Sequence, residues 1–173
     1  MVDLFVMPET VQQYTARILG LVAEQDPFAV QKATVKALPA LVKGMSAARL
    51  RRAPAPGRWS VSQIVAHLAD AEVVHAYRLR MILSRNRTEI QAYDQNLWAE
   101  TGQYADVRLA DALELFLTLR RANLRLVGRL TSAQRLRYGV HQERGRESIH
   151  RLEQMYAGHD LNHLAQIRGI LGA

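Results

Sequence analysis

The run Trp59-Ser60-Val61-Ser62-Gln63-Ile64-Val65-Ala66-His67-Leu68-Ala69-Asp70-Ala71 opens a helix. Ser60 and Gln63 form a capping box: the Ser60 hydroxyl accepts from the Gln63 backbone N–H, and the Gln63 side chain reaches back to the Ser60 N–H. Trp59 before the cap and Ile64 after it form a hydrophobic staple. Ile64, His67, Ala71 and Val74 then recur at helical spacing, so an imidazole stands within a stripe that faces a core. The pattern predicts a helix to about Leu83.

Working outward, the same periodicity recurs. Upstream, Val11, Tyr14, Ile18, Leu21 and Val22 predict a helix from about Pro8 to Glu24. Asp26-Pro27 is a cap followed by Pro at the first helical position, and the next helix should run to Gly44, kinked or split at Pro39. Residues 46–58, ending Pro54-Ala55-Pro56-Gly57, form a connection. Downstream, residues 85–107 read as a long connection that could cross the bundle end or cover a site. A helix is expected over Leu109 to Leu130, a short turn near Thr131, and a last helix from about Ser148 to Leu171. No repeat or low-complexity segment interrupts the 173 residues. One domain is expected: an N-terminal extension helix in residues 1–25 and an all-α bundle in residues 26–173.

The last helix sharpens the meaning of His67. Leu152, Tyr156, His159, His163, Ile167 and Ile170 share one face, and its apolar ends direct that face inward. His159 and His163 are one turn apart, roughly 6 Å along the axis, so both can reach one ion. Buried imidazoles need partners for their nitrogens, and a metal supplies them to several at once. His67 can meet the pair from a second helix, as in metal sites of helical bundles. Three neutral imidazoles leave coordination positions open, which suits catalysis. The second position of the pair holds Asp160 rather than Glu, so this is not the zinc-protease helix motif. Gly158 costs about 1 kcal/mol relative to Ala inside a helix, and would let another helix or a ligand come close.

His75 lies about 12 Å beyond His67 along the helix, and His141 and His150 fall near a loop and a helix start; all three are read as non-ligands. Asp70, Asp94 and Asp160 are candidates to orient an imidazole, but none is singled out as a catalytic base. Arg58, Arg78 and Arg80 could attract an anionic substrate, although a solvated surface is the commoner role for arginine.

Composition narrows the chemistry. The chain has no cysteine, which excludes disulfides, thiolate metal sites and a cysteine nucleophile. Met1-Val2-Asp3-Leu4-Phe5 has no basic run before its apolar residues, and no stretch approaches a membrane span; a cytoplasmic protein is expected. The net charge of +7 comes from 23 basic and 16 acidic residues, 20 of the basic ones being Arg. Acids are interspersed and no base-reading motif occurs, so nucleic acid ranks last among partners.

Two phrases resemble a known family. Pro54-Ala55-Pro56-Gly57-Arg58-Trp59-Ser60-Val61 with Ile64-Val65-Ala66-His67-Leu68-Ala69-Asp70-Ala71-Glu72 resembles the second helix of DinB-like proteins. Tyr156-Ala157-Gly158-His159-Asp160-Leu161-Asn162-His163-Leu164-Ala165-Gln166-Ile167 resembles their last helix, and Tyr93-Asp94-Gln95 a piece of their central connection. The likeness covers roughly residues 30 to 171. It implies a four-helix bundle of up-down-down-up topology, with 85–107 as the crossover between parallel helices. It also implies a divalent metal, zinc or nickel, on His67, His159 and His163. Its members include metal-dependent hydrolases and S-transferases that use a low-molecular-weight thiol, so a small-molecule substrate is expected. A non-catalytic metal- or ligand-binding bundle is the alternative. Exposed apolar positions on the N-terminal helix would serve a homodimer.

Overall fold

Residues 9–172 are described in the computed structural model. The expected helix start at Pro8 and the Met1–Phe5 segment lie outside them. In chain order the elements are α1 (Val11–Gly20), α2 (Pro27–Val42), α3 (Ala47–Arg51), α4 (Val61–Ser84), β1 (Thr88–Ile90), α5 (Gln95–Thr101), α6 (Leu109–Val127), α7 (Ser132–Arg135), β2 (Tyr138–His141), β3 (Gly145–Ser148) and α8 (Ile149–Leu171). Local chemistry explains the ends. The Ser60–Gln63 capping box is formed at the start of α4, and a second one, Thr10–Gln13, starts α1. Asp26 caps α2 with Pro27 at the first position. α2 continues through Pro39, so the expected split does not occur.

Four long helices, α2, α4, α6 and α8, make the bundle. Side-chain contacts give their directions. Gln31, early in α2, bonds Glu153, early in α8, while Leu38 and Val42 share a core with Leu164 and Leu171; α2 and α8 are parallel. His67 meets His159 whereas His75 meets Glu153, so α4 and α8 are antiparallel. Ala112 and Phe116 pack with the first half of α4, and Val127 with Leu79 and Ile82; α4 and α6 are parallel. The order is up-down-down-up, as the crossover length requires.

The connections hold more structure than the sequence pattern predicts. Residues 85–107 contain β1 and α5, and residues 131–148 contain α7, β2 and β3. The strands form one sheet in the order β1-β2-β3, with β1 parallel to β2 and β2 antiparallel to β3. Thr88 pairs with Gly139 and Ile90 with His141, which ties the crossover to the segment before α8. Strands of three or four residues carry too little alternation to register as a period.

The core lies in two apolar clusters. One surrounds Ile64, Leu68, Phe116 and Ile167. The other surrounds Leu79, Ile82, Val127 and Leu152. Between and beside them the helices bury polar groups, among them His67, Glu72, His75, Arg120, Glu153, Asp160 and His163. Among the described residues, no helix is long and apolar enough to cross a membrane.

Candidate metal centre

His67 extends from the second turn of α4, and His159 and His163 from successive turns of α8. Their Nε2 atoms converge: His67 Nε2 is 2.9 Å from His159 Nε2, and His163 Nε2 is 3.1 Å from it. One ring nitrogen of each lies within 4.8 Å of the others, a cluster that could hold a metal ion. His67 and His163 are buried; His159 is partly open and borders a cleft of about 540 Å³. All three residues singled out in the sequence are therefore brought together.

Electrostatics keep these imidazoles neutral. Burial, aided by the neighbouring His163, holds His67 at about 3. Burial holds His163 at about 4. His159 lies well below the ordinary histidine range, first because its ring is desolvated in the cluster and then because of the neighbouring His163 and His67. His163 Nδ1 donates to Gln166 Oε1 at 2.9 Å, leaving its Nε2 as a bare lone pair. His159 Nε2 can then make one well-directed hydrogen bond, to His163 or with His67, and the other close contact stays unsatisfied. A cation at the convergence point satisfies all three. Tetrahedral zinc–nitrogen geometry needs roughly 3.3 Å between donor atoms, so the two contacts would open by a few tenths of an ångström. The donor set fits a divalent ion bound by nitrogen. His67 Nδ1 is buried without a partner, with the Trp59 ring centroid 5.0 Å from its own.

None of the three aspartates orients an imidazole; each is taken up elsewhere. Asp70 accepts from the Tyr104 hydroxyl at 2.7 Å. Asp94 caps α5 by accepting from the Asn96 and Leu97 backbone. Asp160 faces away from the cluster and pairs with Arg120 through both oxygens. The orienting group that the sequence reading missed is Gln166, three residues after His163 on the same helix. Its spacing was the available signal. Gly158 allows the close approach expected of it: a Cβ there would collide with the Ile18 carbonyl oxygen, so α1 lies directly on α8. Arg17 of α1 also donates to Asn162 Oδ1 at 2.8 Å, beside His163. The N-terminal helix thus roofs the histidine half of α8, and its Val11 and Tyr14 line the cleft.

A second polar centre lies about one turn away along α4. Arg120 on α6 donates to Glu72 at 2.8 Å and grips Asp160, while Asn123 donates to Glu72 at 3.0 Å. His75 meets Glu153 at 2.9 Å and Glu72 at 3.5 Å, and Gln31 donates to Glu153 at 2.8 Å. Burial alone would push Glu72 up, but Arg120 and His75 pull it down to about 2. Burial likewise opposes the charge on His75, yet Glu153 and Glu72 raise it to about 9. His75 is therefore a charged group set between two carboxylates, hydrogen-bonded to Glu153 through Nε2, in agreement with its reading as a non-ligand. His141 sits in β2 and accepts from Arg78 at 3.2 Å, and His150 is exposed at the start of α8.

Comparison with known proteins agrees with this architecture. The DinB superfamily matches residues 32–167. The chain belongs to that family. A protein of Oceanobacillus iheyensis named "putative metal-dependent hydrolase" is 31% identical over 114 residues, 66% of this chain and 66% of the relative. A Geobacillus thermodenitrificans protein of the same description is 28% identical over 138 residues, 78% and 76% of the two chains. Alignment thus spans slightly under two thirds of the Oceanobacillus relatives, 66% and 64%. The solved structure of YfiT from Bacillus subtilis, described as a probable metal-dependent hydrolase with an unusual four-helix bundle topology, superposes with a TM-score of 0.77. It shares 23% identity and covers 93% of this chain and 87% of its own, which establishes the common fold.

Proposed function

We propose that this DinB-family protein is a metal-dependent hydrolase of a small molecule, with one divalent ion, zinc or nickel, held by His67, His159 and His163. The observation that carries the reading is the convergence of three neutral Nε2 atoms beside an open cleft. The names borne by the relatives point the same way.

A bound ion supplies a Lewis acid that polarises a substrate carbonyl or phosphoryl oxygen and acidifies water. The chain's own residues prepare that place. Burial keeps the imidazoles unprotonated, so their lone pairs are available at neutral pH. Gln166 fixes the tautomer of His163. Tyr156 and Met155 wall the cleft next to His159, so a bound substrate displaces water there. Three protein donors would leave at least one coordination position for water or substrate.

The test is metal analysis of the purified chain with an ester, amide and phosphoester panel. One equivalent of metal is expected in the wild type, with binding lost in His159→Ala. Unaltered one-to-one affinity in that variant overturns the ligand set, and metal-loaded protein inert on the whole panel overturns the hydrolase. A second reading, transfer of a low-molecular-weight thiol to an electrophile, is favoured by the cleft volume of about 540 Å³, room for two reactants. With no cysteine in the chain, the thiol arrives as substrate. Product that forms only when a thiol is added selects this reading over hydrolysis.

A further inference from the structure

The cleft has a second chemical feature, at the end away from the histidines. Arg78, eleven residues after His67 on α4, lines it and is only 5% exposed. Its Nη2 donates to the Gln91 carbonyl at 2.7 Å and to His141 Nε2 at 3.2 Å. Both partners are neutral: burial, then Arg144 and Arg78, holds His141 down at about 4. Among the described residues Arg78 forms no ion pair, unlike Arg120, whose guanidinium is matched by two carboxylates. Its Nε and Nη1 make no hydrogen bond within the described protein, and neither is among the sealed, partnerless atoms of the interior.

A guanidinium this deep without an anion is costly, because desolvation is not repaid by a countercharge. Among the described residues, none of the acids around the cleft pairs with Arg78. Glu9 pairs with Arg17, Asp94 caps α5, Glu147 pairs with Arg144, and Glu143 stands exposed at the rim. Between Arg78 and His159 the cleft is walled by Ala71, Tyr156 and Met155, with Tyr93 beside the guanidinium, its ring centroid 5.9 Å from Cζ.

We propose that Arg78 anchors a compact oxyanion, a carboxylate or phosphate, at the far end of a substrate whose apolar body runs along the cleft to the histidine cluster. The proposal rests on the reading of that cluster as the reactive end. It restricts the substrate class to elongated anions: Arg78 and His67 are about 16 Å apart along α4, shortened by the reach of their side chains. The N–H donors left free on Nε and Nη1 suit a charge-assisted hydrogen bond to such a group.

The probes are phenyl phosphate and benzoate, with benzamide as the neutral control, titrated calorimetrically into the full chain after dialysis against chelator. Omitting metal removes direct anion coordination, and it separates this result from that of the metal reading, which zinc titration tests independently. Saturable binding of at least one anion is expected, weakened at least tenfold in Arg78→Gln, with benzamide binding much more weakly in both proteins. The tighter anion identifies the headgroup as carboxylate or phosphate. Equal affinity in Arg78→Gln, benzamide binding as tightly as the anions, or no saturable binding at millimolar concentration overturns the proposal. Should Arg78→Gln fail to fold, phenylglyoxal labelling of the wild type decides, mapped by mass spectrometry. Labelling at Arg78 should fall several-fold with the better-binding anion and not with benzamide; equal labelling overturns it.

Discussion

His67 and His75 stand two turns apart on one helix, and their surroundings drive them in opposite directions. Both are buried, so desolvation disfavours the charged form of each. At His67 the neighbours are other imidazoles, and the ring is held neutral at about 3. At His75 the neighbours are Glu72 and Glu153, and the ring is held charged at about 9. α8 repeats the contrast within two residues: His159 faces the cluster and the cleft, whereas Asp160 faces Arg120. The bundle thus places a cluster of neutral imidazoles beside a centre built of buried ion pairs. The lesson is that burial sets the cost of charge and the facing helices decide whether it is met.

The largest expected effect breaks the matched centre. Arg120→Met leaves Glu72 and Asp160 buried without their cation, and should cost roughly 3–5 kcal/mol in urea unfolding. A loss under about 1 kcal/mol would mean that the carboxylates take up protons freely and that the network is not ionic. At the other centre, truncation should leave the metal-free fold almost unchanged and remove the response to metal. Zinc at a thousandfold excess over its Kd should stabilise the wild type by about 4 kcal/mol, and His159→Ala should lose that increment. Matching zinc-induced Tm shifts in the two proteins would erase the distinction between the centres.

pH separates the two kinds of histidine. The folded-state value of His75 is raised above the unfolded 6.5 to about 9. Its contribution is therefore complete below pH 6.5 and is lost as pH rises through 9, a fall of roughly 3 kcal/mol. His75→Gln should flatten that alkaline limb in denaturant titrations between pH 6.5 and 9.5. His67 has the opposite sign: its folded value is depressed, so in metal-free protein its contribution is present above pH 6.5 and fades as pH falls toward about 3. The smallest effect concerns orientation. Gln166→Ala removes the acceptor of His163 Nδ1–H, and metal affinity should fall about tenfold with the fold intact. Competition against a chelator of known affinity measures it, and an unchanged Kd would show that packing alone holds the ring.

Much of this was legible in the chain because it is local. Ser60-Val61-Ser62-Gln63 specifies its own cap within four residues, and the structure forms the reciprocal bonds. His159 and His163 share a face by helical geometry alone, and the apolar stripe around them says that face is inward. The three-histidine convergence was therefore within reach of periodicity, whereas the crossover between parallel helices was implied by the family likeness. The three-stranded sheet was not. β1 meets β2 some fifty residues downstream, and pairing at that distance leaves no local mark.

The roles of the carboxylates were decided only in three dimensions. In sequence Asp160 adjoins His159 and Asp70 follows His67 by one turn, which makes both look like imidazole partners. α8 buries two faces, one against α4 and the cleft, the other toward α2 and α6, and Asp160 lies on the second, where Arg120 waits. A helix fixes which residues share a face. Which neighbour that face meets, and so whether a buried carboxylate, histidine or arginine is paired, follows from packing between segments far apart in the chain. That is why the three clustered histidines could be named from sequence, whereas the ion network, the roof formed by α1 and the unmatched charge of Arg78 required the tertiary structure.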